Sequence, residues 1–237
     1  MTVITISRQY GSGGDEIAES VCQMMNYRRF DKMMIAKAAV ESGLSDEEIV
    51  DFSEENYKVK NFFDRLFRRS ENSTKARYWR ESPDGMRVVE EINLTEEHLL
   101  MLVQKAILSA YQSGNTVIVG RGGQMILHDF ADVLHLRIEA PLEDRLQNVR
   151  ALLRKERAES QRSIDMRREA QDLILERDGA SADYLKHFYG VDWDDPMLYH
   201  VIFNTGRMTT TQASEYIVGM LRSSFYAKPG ALTGTLS

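Results

Sequence analysis

Residues 3–25 read VITISRQYGSGGDEIAESVCQMM. The first five, rich in β-branched residues, predict a strand. Ile17, Val21, Met24 and Met25 then recur at helical spacing. Between the two patterns lies SRQYGSGG, residues 7–14. A glycine-rich turn from strand to helix aims backbone N–H groups from the helix N-terminus, a geometry that suits a phosphate. Glycine is required there where φ is positive and an anion must approach the backbone closely. A tight turn that needs only flexible residues fits the same spacing.

The turn departs from the GxxxxGK[ST] pattern, because Gly13 is followed by Gly14, Asp15 and Glu16. It lacks the lysine that grips phosphates and the hydroxyl that holds Mg²⁺. A bound triphosphate would need another cation, and Arg8 is the nearest in sequence.

Outward from this stretch the pattern repeats. Residues 27–30 suggest a second short strand, after which Asp31 caps a helix through Met34, Ile35, Ala38 and Ala39. Residues 45–94 are irregular and read as helices plus loops inserted into the main fold. Thr95 begins a helix whose apolar face carries Leu99, Leu102, Val103, Ala106, Ile107 and Ala110, ended by Gly114-Asn115. TVIV at 116–119, VLHLRI at 133–138 and YHVIF at 199–203 read as strands. Pro141 opens a long charged helical region to about residue 176, and residues 178–188 read as helix. A last helix follows Thr209, and residues 223–237 read as a loose tail. Strands alternating with helices argue an α/β protein with a parallel sheet covered on both faces. With no repeat or Pro/Ser linker, residues 1–237 are expected to form a single domain with a helical insertion at 45–94.

Two further segments carry candidate chemistry. Gly120-Arg121-Gly122-Gly123 again follows a buried strand directly. In a parallel sheet both glycine turns lie at the C-terminal strand edge, where ligands bind. Arg121 would offer a phosphate a bidentate fork, or pair with a carboxylate on the surface. The segment 145–177 mixes Arg145, Arg150, Arg154, Lys155, Arg157, Arg162, Arg167, Arg168 and Arg177 with acidic residues. It reads either as a solvated helix laced with i,i+4 pairs or as an arginine lid over transferring phosphates. The aromatics Phe62, Phe63, Phe67, Tyr78 and Trp79 interleave with arginines. They fit a half-buried insertion with snorkelling side chains, or a base-stacking patch.

Composition removes other classes. Lys+Arg 30 against Asp+Glu 36 gives a net charge of −6, which argues against nucleic acid as the general partner. A single cysteine, Cys22, excludes an internal disulfide and a cysteine-based zinc site. The five histidines show no ligand spacing. No stretch approaches the ~20 apolar residues of a membrane span. A cytoplasmic protein without a membrane partner is the expectation.

VITISRQYGSGGDEIAE, then FDK, VIVGRGG and ERDGASADYLKHFYGVDWDDPMLYHVIFNTGRM, resemble the cytidylate kinase-like family of P-loop proteins. The resemblance covers most of the chain in order and is weakest across residues 45–94. It implies a three-layer P-loop NTPase or nucleoside monophosphate kinase fold with a five-stranded parallel sheet. It implies a monophosphate-binding region within 45–94 and a lid within 145–190. The implied reaction moves the γ-phosphoryl of ATP, with Mg²⁺, onto CMP or a related monophosphate. A nucleotide-binding regulatory protein on the same fold, with little catalysis, is the competing expectation. By the resemblance, Gly11, Ser12, Gly13 and Gly14 cradle the donor phosphates. Asp31 and Arg121 fall in the monophosphate region, Asp31 as an orienter or base or only as a helix cap. Arg177 and Asp178 match an Arg-Asp pair of the lid. With Arg8 and Arg121, they complete the expected catalytic set. A homo-oligomer stays open.

Overall fold

The structure is a computed structural model that describes residues 2–30, 34–35, 37–38, 74–81, 87–94, 96–156 and 166–223. The chain divides into two compact units, Met1–Arg29 with Gly114–Ser237, and Phe30–Ser113.

The first unit is built on a parallel five-stranded sheet. Its strands are β1 (Val3–Arg8), β2 (Arg28–Arg29), β5 (Thr116–Val119), β6 (Val133–Glu139) and β7 (Val201–Asn204). They lie in the order β2-β5-β1-β6-β7. β1 occupies the centre, with Ile4 registered beside Val117 on one side and Leu134 on the other. Val3, Ile4, Ile6, Val117, Leu134, Leu136 and Ile138 are all buried, as strands covered on both faces require.

Helix α1 (Gly14–Met25) follows β1 and packs Ile17, Ala18 and Val21 into this core. The last helix, Thr210–Arg222, joins the same core through Ala213 and Ile217. Its N-terminus carries a capping box: Thr209 accepts from the Gln212 N–H, and the Gln212 side chain accepts from the Thr209 N–H. Helices Leu142–Glu156 and Met166–Tyr189 build a satellite core of Leu146, Val149, Leu153, Met166, Ala170 and Ile174.

One buried arginine ties the segment before β7 to the sheet. Arg137 on β6 is fully buried, and its guanidinium lies 4.3 Å from the centre of the Trp193 ring. It donates to the Trp193 carbonyl at 2.7 Å and pairs with Glu139 and Asp194. The Trp193 Nε1–H donates to Ser7 Oγ at 2.8 Å. This cage accounts for the Trp193-Asp194 pair as structural, the indole, the Trp193 carbonyl and the Asp194 carboxylate serving one cation.

The second unit differs from the expected helices and loops wherever residues within 45–94 are described. Strands β3 (Thr74–Glu81) and β4 (Arg87–Leu94) form an antiparallel hairpin. Tyr, Trp, Val and Ile favour strands, and opposite charges stand in register at Arg77↔Glu91 and Glu81↔Arg87. The charged residues hid this pattern in the sequence. Numbering continues with α2 (Glu96–Ser113), which buries Leu102, Val103, Ala106, Ile107 and Ala110 as its periodicity predicts. The short helix after β5 is α3 (Gly123–Ile126), the satellite pair are α4 (Leu142–Glu156) and α5 (Met166–Tyr189), and the last is α6 (Thr210–Arg222). No helix of the described residues is long and apolar enough to cross a membrane.

Candidate functional site

The first glycine turn is held open by its carbonyls. The Ser12 carbonyl accepts from Thr205 Oγ1 at 2.7 Å, and the Gly11 carbonyl from Asn148 Nδ2 at 2.8 Å. The Gly13 carbonyl takes the Ile17 N–H at 3.0 Å and starts α1. The N–H groups of Gly14, Asp15 and Glu16, in the first turn, have no carbonyl four residues back within the helix. Ser12 is buried, and its Oγ has no hydrogen-bond partner among the described residues. A buried hydroxyl of this kind is costly without a partner. The turn therefore presents amides and an orphan hydroxyl together, a donor set that fits the oxygens of a phosphate.

Glycine is needed at two of these positions for different reasons. Gly13 has φ +81°, and a Cβ there would lie 2.6 Å from Thr210 Cγ2. At Gly14 a Cβ would lie 2.5 Å from the Arg8 Cβ. The position where GxxxxGK[ST] carries its lysine is thus empty of side chain, and the Arg8 stem fills the room.

Arg8 is the last residue of β1. Its Nε donates to Asp15 Oδ2 at 3.1 Å, and its guanidinium NH1 lies 2.9 Å from where a Gly120 Cβ would stand. It therefore lies against the second glycine turn. There Gly120, Arg121 and Gly122 all adopt positive φ, at +67°, +59° and +69°. The left-handed region costs a non-glycine residue such as Arg121 about 1 kcal/mol. Gly120 N–H donates to the Ile6 carbonyl at 2.9 Å, which anchors the turn to β1. The Tyr184 hydroxyl donates to the Arg121 carbonyl at 3.4 Å, and burial pushes its pKa up, keeping it protonated. The Arg121 side chain is exposed.

Asp178 sits on α5 against the start of the first turn. Its Oδ1 accepts the Tyr10 N–H at 2.7 Å, and its Oδ2 pairs with Arg145 of α4. The Arg177 guanidinium lies 5.3 Å from the Tyr10 ring centre. Both residues expected in the lid thus contact Tyr10, inside the turn. Gly11, Ser12, Gly13, Gly14, Arg8, Arg177 and Asp178 gather around one loop, and Arg121 belongs to the turn next to it. Asp31 lies outside the described residues, as do Phe62, Phe63 and Phe67. Among the described residues no three His, Cys, Asp or Glu side chains form a metal-holding group.

Sequence reasoning passed over Arg29, Asn148 and Thr205. Arg29 pairs with the other oxygen of Asp15. Its signal was the basic YRRF following α1, read only for its strand character. Asn148 and Thr205 act on backbone carbonyls 137 and 193 positions away, so no local pattern marks them.

A family model described as the cytidylate kinase-like family matches residues 3–207. No curated protein matches the chain. Among solved structures, an uncharacterized protein from Eubacterium ventriosum ATCC 27560 is similar at 16% identity. The similarity covers 94% of this chain and 99% of that one with a TM-score of 0.58, and shows the fold. A shikimate kinase from Bacteroides thetaiotaomicron is similar at 12% identity, over 94% of this chain and 99% of that one, with a TM-score of 0.48. TT1252 from Thermus thermophilus is similar at 14% identity, over 94% and 98%, with a TM-score of 0.48.

Proposed function

The chain belongs to the cytidylate kinase-like family, and from that premise we propose that it is an ATP-dependent nucleoside monophosphate kinase acting on CMP or a related monophosphate. The observation that carries the proposal is the first glycine turn, with its first-turn amides and orphan Ser12 hydroxyl beside Arg8. Gly11, Ser12, Gly13 and Gly14 hold the donor phosphates in this reading. Arg8 supplies the charge that a loop lysine provides elsewhere. Arg121, beside Arg8 at the neighbouring turn, serves the acceptor phosphate or the phosphoryl in flight, and Asp31 belongs to the acceptor side. Arg177 adds charge from α5, and Asp178 fixes the turn through Tyr10. Catalysis in such a site is positioning and charge neutralisation, with no covalent enzyme intermediate.

Mg²⁺ would enter this site as part of the incoming nucleotide. The described residues offer it no donor cluster of their own, and phosphate oxygens with water supply most ligands of a nucleotide-bound Mg²⁺. It would neutralise charge between the phosphates, while this chain's own groups grip the phosphate oxygens.

A second reading, a nucleotide-binding regulatory protein with little catalysis, is favoured by the Asp15 carboxylate paired with Arg8 beside the loop. One experiment separates the two. ADP release is measured with MgATP and each of CMP, UMP, dCMP, AMP and GMP, together with ATP binding by calorimetry. Acceptor-dependent turnover, highest with a pyrimidine monophosphate, is expected. Binding without turnover for any acceptor rejects the kinase reading in favour of the regulatory one.

A further inference from the structure

Three charged groups meet at the mouth of the first turn. Arg8 ends β1 and Arg29 ends β2, so both stand at the C-terminal edge of the sheet. Asp15, in the first turn of α1, accepts from both guanidiniums, one on each carboxylate oxygen. Among the described residues it is the one carboxylate that pairs with either arginine. Burial pushes its carboxyl up, and the two guanidiniums outweigh this and hold it below the usual carboxylate range. Asp15 is therefore a firm anion at neutral pH, offering two oxygens to two forks as a phosphate would.

The surroundings give that anion a replaceable position. The Asp15 side chain is 54% exposed, the most open to water of the three charged groups. Arg8, by contrast, runs close against two glycines, its Cβ 2.5 Å from a would-be Gly14 Cβ and its NH1 2.9 Å from a would-be Gly120 Cβ. The orphan Ser12 hydroxyl belongs to the same turn. Arg8 is thus the more closely held partner, and the anion between the two guanidiniums is the more exposed one.

We infer that Asp15 is a built-in stand-in for phosphate: it keeps Arg8 and Arg29 together before nucleotide binds, and the polyphosphate of an incoming nucleoside triphosphate displaces it from both. This makes Arg29 a second phosphate-gripping cation, delivered from a neighbouring strand. It makes Asp15 a residue that lowers affinity while preserving geometry. The inference rests on the proposed nucleotide site and adds to it two residues with opposite effects on binding.

The test is calorimetric titration of the full chain with inorganic tripolyphosphate and with ATP, for the wild type, Asp15→Asn and Arg29→Gln. Thermal melts without ligand confirm that each variant is folded. Asp15→Asn removes the competing charge and is expected to bind both ligands about tenfold more tightly, the factor that corresponds to about 1.4 kcal/mol. Arg29→Gln is expected to bind both about tenfold more weakly. Unchanged or weaker binding by Asp15→Asn overturns the inference and makes Asp15 a permanent positioning residue. Should Asp15→Asn fail to fold, Arg29→Gln decides alone, and unchanged affinity there overturns the inference. A wild type that binds neither ligand sinks the nucleotide site itself, and the inference with it. A wild type that binds while the variants do not respond sinks the inference alone.

Discussion

Gly14 shows how much a single missing side chain can carry. Its hydrogen is what lets the Arg8 stem run beside α1, with a would-be Cβ only 2.5 Å from the Arg8 Cβ. Gly14→Ala is expected to push Arg8 aside, cost about 1–3 kcal/mol of stability as overpacking does, and weaken ATP binding. Urea denaturation and calorimetry check the two effects separately. A second residue, His135, makes stability respond to acid. It is buried on β6, shares a 2.7 Å hydrogen bond with Thr5 Oγ1, and stacks on His200 with ring centres 5.1 Å apart. Burial, with His200 beside it, lowers its pKa from 6.5 to about 4. The unfolded chain therefore takes up this proton first as the pH falls. The stabilisation is complete above pH 6.5 and is lost progressively towards pH 4, about 3 kcal/mol in all. Denaturation across that range is expected to show the decline, and His135→Gln to flatten it by about that amount.

At the scale of elements, the molecule relies on long-range ties from side chain to loop. The Arg137 cage holds the segment around Trp193 and Asp194 to β6. Arg137→Met keeps the apolar stem under the Trp193 ring and removes every donor. It is expected to cost about 3 kcal/mol, because the Trp193 carbonyl and both carboxylates lose a charged partner. Urea denaturation measures this directly. Elements also differ in how far the sequence announces them. Helix α2 was readable because its buried face recurs at helical spacing. The β3–β4 pair was not, because charged residues interrupt the alternation of both strands. Strand β2 has only two residues and owes its existence to β5, with Arg28 and Arg29 in register beside Thr116 and Val117.

Across the whole molecule, the sheet order concentrates protection in the middle. β5, β1 and β6 each have neighbours on both sides, whereas β2 and β7 are edges. Hydrogen exchange followed by mass spectrometry is expected to be slowest for residues 3–8, 116–119 and 133–139. Faster exchange is expected at residues 28–29 and 201–204, because edge amides lack a second neighbour. Equal protection at the edges and the centre would contradict this strand order.

The chain's order of apolar runs, glycine turns and amphipathic helices was enough to determine a parallel α/β sheet, two glycine turns at one edge and an arginine, Arg8, at the first of them. Those features depend on local backbone preference and on burial patterns a few residues long, so they are written locally. Which groups surround the first turn was decided only by the tertiary structure. Asp15 is seven residues from Arg8 and fourteen from Arg29, whereas Tyr10 meets Asp178 across 168 positions and Ser12 meets Thr205 across 193. Whether a given aspartate pairs with an arginine, caps a backbone amide or faces water depends on three-dimensional packing, and nothing in the spacing of residues along the chain encodes that choice.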